Sequence, residues 1–143
     1  MTKIRVALVV ASQLLVSLAP GPAFGQGAAG PLEAASIRWL QLLDQGRFDD
    51  AWNEGASLLH QDITKNQWTD GTRHVRDRFG AVQGRELLAK DYHRQIQDGP
   101  DGDYFTLRYQ TSFTDGRPPV VELITLVLAP DEQYRPVAYG IKR

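Results

Sequence analysis

A chain of 143 residues with 42% hydrophobic content suits one domain with a real core rather than two. A formal net charge of −1, from sixteen basic and seventeen acidic residues, argues against nucleic acid as a partner, because that binding rests on clustered positive charge. Cysteine is absent, which excludes disulfides, zinc–thiolate sites, thiol nucleophiles and a lipid-bearing cysteine anchor together.

The opening stretch, MTKIRVALVVASQLLVSLAPGPAFGQG, carries Lys3 and Arg5, then an apolar run from Val6 to Leu18, then a segment of small residues. These are the three parts of a secretory signal peptide, and the run is shorter than the roughly 20 residues of a membrane span. Cleavage is expected after Gly25, with a site after Ala29 as the alternative. The processed protein is then expected to be soluble, without a membrane anchor, and periplasmic or secreted. Removing Lys3 and Arg5 makes it more acidic. Residues 1–25 read as the signal peptide, 26–31 as a disordered linker and 32–143 as a single domain.

Leu32, Ile37, Leu40 and Leu43, mainly three and four apart and widened by Trp39 and Leu42, predict an amphipathic helix closed by Gly46. Phe48, Ala51, Trp52, Ala56 and Leu59 predict a second helix, antiparallel to the first. Thr64 with Gln67 forms a capping-box pattern opening a third, with Trp68, Val75 and Phe79 on one face, Gly71 in its middle and Gly80 as its stop. From Val82 the patterning turns to strands. AVQGRELLAKDYHRQI is ambiguous, whereas DYFTLRYQTSF alternates strictly, and PVVELITLVLAP and QYRPVAYGI follow, with turn signals at DGPDGD and TDGRPP. This order predicts an α+β domain: three N-terminal helices packed on a four-stranded antiparallel meander.

Taken together, these stretches resemble a family of exported bacterial domains catalogued as domain of unknown function 4019. Its helical motifs are similar to Trp39-Leu40, Asp44-Gln45-Gly46 and Trp52 here, and its Trp followed by Arg-x-Pro-Leu-Gly-x-Val-x-x-Arg is similar to Trp68 and the run Arg76 to Arg85. A Pro-Asp-Gly-x-Tyr turn resembles Pro100 to Tyr104, and Phe/Tyr-x-Thr-Ser-Phe resembles Tyr109 to Phe113. A Glu-Thr-Val-Thr-Leu strand resembles Glu122 to Leu126, and a closing aromatic-Arg strand with Tyr-x-Ile resembles Tyr134-Arg135 and Tyr139 to Ile141. Arg78 stands where the family tends to have proline, and Pro136 interrupts the last strand, as an edge strand tolerates best. The resemblance implies an α+β domain, with the cone-shaped type of the nuclear transport factor 2-like superfamily as the candidate shape. It implies no activity.

Glu122 is the one acid in the most apolar strand of the chain. Both sides of that strand are apolar, Val120, Ile124, Leu126 and Leu128 on one and Val121, Leu123 and Val127 on the other, so two covers are expected. The helices supply one and a partner subunit the other, which makes a homodimer through the sheet face an expectation. Opposite Glu122 a two-residue Asp115-Gly116 turn places Tyr109, whereas a three-residue loop places Gln110, with Arg108 diagonal. Two readings of the carboxylate follow. In one it pairs with Arg85 or Arg108 inside the sheet. In the other, Glu122, Tyr109 and Arg108 or Arg85 line a cavity that binds a small polar ligand or performs acid–base chemistry.

Other chemistry is poorly supported. His60, His74 and His93 lack metal-ligand spacing, and DGPDGD lacks the closing Glu of a calcium loop, so no metal or cofactor is expected. Arg73, Arg76, Arg78 and Arg85 read as a solvated basic edge, or as a site for an anion or acidic partner. The functional expectation is an exported binding domain, for a small ligand or another envelope protein. The alternative is a small hydrolase or isomerase using the Glu122 carboxylate.

Overall fold

A computed structural model describes residues 29–143. The expected signal peptide and residues 26–28 of the expected linker lie outside the described residues. Helix α1 (Pro31–Asp44) opens on Pro31, where a missing N–H costs nothing because the first turn has no partner for it. It ends at Gly46, whose φ of +71° turns the chain so that the Arg47 N–H reaches the Leu42 carbonyl at 2.8 Å.

The second helix is shorter than its periodicity predicts. Helix α2 (Phe48–Glu54) stops at Gly55, and a single 3₁₀ turn, Ser57–His60, follows. The cause is a long-range bond, from the Ala56 N–H to the Pro136 carbonyl at 2.8 Å, which pulls the chain out of helical register. Helix α3 (Lys65–Asp77) carries the expected capping box, with the Gln67 N–H donating to Thr64 Oγ1 at 3.2 Å and the Thr64 N–H donating to Gln67 Oε1 at 3.0 Å. Its buried face differs from the expected one: Val75 is 38% exposed, and the next residue, Arg76, is buried.

The ambiguous segment is strand β1 (Val82–His93), followed by β2 (Tyr104–Phe113), β3 (Val120–Leu128) and β4 (Tyr134–Lys142) in one antiparallel sheet of order β1-β2-β3-β4. A bulge in β1 leaves Leu88 without a cross-strand partner between Leu87 and Ala89. A bulge on the edge strand β4 accommodates Pro136, which lies opposite Leu126 while Ala138 lies opposite Thr125. Tyr109 sits opposite Glu122, the register of a turn centred on Asp115-Gly116, and Gly116 takes the φ of +74° such a turn demands.

The helices cover one face of the sheet. Trp39, Leu40, Leu43 and Ala51 close on Leu107, Tyr109, Ile124 and Leu126, with Trp39 placed 6.0 Å from Trp68 and 5.7 Å from Tyr139 between ring centroids. On the opposite face Val121, Leu123 and Thr125 are only half-buried, so the second cover expected for β3 is not supplied by the described residues. Among those residues no helix is long and apolar enough to cross a membrane.

Candidate functional site

Under the helices, Glu122 is fully buried and each of its oxygens has two donors. Oε1 accepts from Arg85 Nε at 2.9 Å and Thr111 Oγ1 at 2.6 Å; Oε2 accepts from Arg76 Nη1 at 2.9 Å and the Tyr139 hydroxyl at 2.7 Å. The two guanidiniums do not end there. Arg85 places Nη1 and Nη2 on the Asp44 carboxylate at 2.9 and 3.0 Å, and Arg76 Nη2 donates to the same carboxylate. Asp44, Arg76, Glu122 and Arg85 therefore form a closed ring of alternating charge, neutral in sum, fastened to Thr111 and Tyr139.

Each member comes from a different element. Asp44 is the last residue of α1, Arg76 lies in the last turn of α3, and Arg85, Thr111, Glu122 and Tyr139 come from β1, β2, β3 and β4 in turn. An acid at a helix C-terminus opposes the helix dipole, and the two arginines offset that cost for Asp44. Arg76 also stacks over Phe113, 5.2 Å from the ring centroid, so its apolar flank is packed as well.

Burial alone would depress the pKa of both arginines. In Arg76 this is outweighed by Tyr139, Glu122 and Asp44, and in Arg85 by hydrogen bonds to Asp44 and by the Glu122 charge, so both are held above the ordinary guanidinium value. The Tyr139 phenol is pushed up, first by burial and then by the Glu122 carboxylate, so it remains a donor. The folded chain thus holds this proton more tightly than the unfolded chain does. The stability it contributes is complete below the ordinary tyrosine value of about 10 and is lost as pH rises from there towards the folded value. Urea unfolding between pH 8 and 11 should therefore show stability falling above about pH 10. In Tyr139→Phe that fall should be shallower, from a starting stability lower by about 1–2 kcal/mol.

Of the residues the sequence singled out, the structure joins Arg85 to Glu122 and separates the other two. Arg108 points from the opposite face of β2, where its guanidinium lies 2.8 Å from Asp91, because alternation sends it away from Tyr109 and hence from Glu122. Tyr109 faces the helices, but its hydroxyl meets Ser36 Oγ in α1 rather than the carboxylate. Sequence reasoning missed Asp44, Arg76, Thr111 and Tyr139. Arg76, expected on a solvated edge, is a buried member of the ring.

Elsewhere the polar groups are spent locally. In the β1–β2 turn, Asp103 accepts from the Tyr92 hydroxyl at 2.7 Å and Asp101 from Gln95 at 2.6 Å. Among the described residues no group of three His, Cys, Asp or Glu side chains could hold a metal ion. A groove of about 670 Å³ opens at the end of the sheet, lined by Ala56, Leu58, Tyr104, Leu128 and Arg135 among others, and Arg135 is already paired with Asp131 at 2.6 Å.

A family model described as protein of unknown function (DUF4019) matches residues 35–139. No curated protein and no solved structure matches the chain.

Proposed function

The chain belongs to the DUF4019 family, and we propose that this member is an exported domain that works by binding, through the open face of its sheet, and not by catalysis. The observation that carries this is the one-sided cover: all three helices lie on one face, while Leu88, Ala89, Val121 and Leu123 floor a shallow groove on the other. Such a surface suits a protein partner. Export is supported by the basic, apolar and small-residue order of residues 1–25.

Acid–base chemistry at Glu122 has little support. A general acid or base needs a free lone pair or proton within reach of substrate, and all the capacity of this carboxylate goes to Arg76, Arg85, Thr111 and Tyr139. A small ligand in the 670 Å³ groove is the second reading, favoured by volume. It has fewer convergent polar groups than a built site, since Arg135 and Asp101 already have partners.

The sheet-face reading is tested by introducing a photo-crosslinking side chain at Leu123 and, as a control, at Gln41 on the exposed side of α1. Irradiation in the producing cell should give a discrete adduct from position 123 and none from 41. Adducts from both or from neither would remove the basis for this interface.

A further inference from the structure

We infer that the occupant of the open sheet face is a second copy of this chain, packed face to face about a two-fold axis running parallel to the strands. This rests on the reading of that face as an interface. The cross-strand pairs Glu86↔Gln110, Gln110↔Val121 and Val121↔Lys142 make one row across the open side, with an acid at the β1 edge and a base at the β4 edge. Glu86 belongs to this side because its neighbour Arg85 points the other way, into the ring. Three strand spacings separate the ends of the row, roughly 14 Å.

Among the described residues neither Glu86 nor Lys142 forms an ion pair. The remaining acid of the β1 edge, Asp91, is held by Arg108, and Leu88, Ala89, Val121 and Leu123 lie with Arg108, Lys142 and Arg143 around a groove of about 580 Å³. The unpaired charges of this row are thus segregated to opposite edges, with Val121 and Leu123 between them and the Arg108 charge taken by Asp91.

That arrangement selects both the partner and the axis. A uniformly acidic or basic surface would meet like charge at one edge. A two-fold parallel to the strands, passing between β2 and β3, exchanges β1 with β4 within each row. Glu86 of each copy then faces Lys142 of the other, twice over, and the aliphatic stem of Arg108 lies over Leu123. A two-fold across the strands would instead set β1 on β1, bringing the acids of that edge together. Aligned sheets pack about 10 Å apart, a gap that a glutamate and a lysine reaching from either side can bridge.

Light scattering on the purified protein at tens of micromolar should give twice the chain mass. E86K and K142E, both at exposed positions, should each raise the dimer dissociation constant about tenfold, and the doubly swapped protein should return to within about threefold of the original. A monomer up to about 100 µM, or a double variant no better than the singles, would overturn the inference. The crosslinker at Leu123 separates this failure from that of the underlying reading. An adduct of twice the chain mass supports the second copy, and adducts of other mass from a monomeric protein overturn it while leaving the face an interface. No adduct removes both.

Discussion

Glu122→Gln is expected to lower the unfolding free energy by about 3–5 kcal/mol, the usual cost of removing one partner from a buried, hydrogen-bonded charge set. For a domain of this size that is a fall in melting temperature on the order of 15 °C. The amide keeps the volume of the carboxylate but not its chemistry. Its NH₂ must point at Arg76 or at Arg85, donor against donor, and the pair of guanidiniums is left with only Asp44 to balance it. Thermal unfolding followed by circular dichroism reads the effect. A loss below about 1 kcal/mol would mean that the carboxylate is not paired as described and would reopen its candidacy as a ligand group.

Trp39→Ala should cost a similar amount, about 3–5 kcal/mol, by a different route. Trp39 is 1% exposed, and truncation leaves a cavity between Trp68 and Tyr139, on either side of it. It also removes a donor. The indole N–H bonds the Ala51 carbonyl at 2.8 Å, near the end of a helix too short to satisfy its own carbonyls, so this acceptor would be buried and unpaired. Because Tyr139 leans on the same ring, its hydrogen bond to Glu122 should loosen as well. Trp39→Phe, which retains most of the volume, should lose less, and urea midpoints of the two variants give the comparison.

The parts of this fold that were legible in the sequence are those fixed by near neighbours. The Thr64–Gln67 capping box and the alternation of β2 each depend on residues a few positions apart, and each is present in the structure. The break at Gly55 was not legible, because its cause is a bond to Pro136 in the last strand. Arg76 was misread for a related reason. Hydrophobic patterning turned Val75 inward, yet Arg76 is seven residues beyond the buried Thr69 and three before the buried Phe79, a helical spacing that places it on the covered stripe. Asp44 offered a second signal, as an acid ending a helix where the dipole disfavours it.

Glu122 was legible as a carboxylate in need of donors, but the choice among arginines was not. Once Tyr109 is set opposite Glu122, the pleat sends Arg108 to the far side, and the turn sequence left that register open. The six residues that surround and form the ring lie in separate short motifs from Asp44 to Tyr139, far apart in the chain. Their meeting is a property of the tertiary fold, which joins two helices to all four strands at one point. The same geometry divides the molecule by role: charge is consumed inside, while the open sheet face retains Glu86 and Lys142.

The closed ring is tested most directly by a double-mutant cycle. Urea unfolding at pH 7 of Glu122→Gln, Arg76→Met and the two combined gives their coupling. Each single change strands a buried charge, whereas the double change removes one of each sign and leaves Arg85 with Asp44. The expected result is a combined loss well short of the sum, with a coupling of about 2 kcal/mol or more. Losses that add to within about 0.5 kcal/mol would contradict a closed ring.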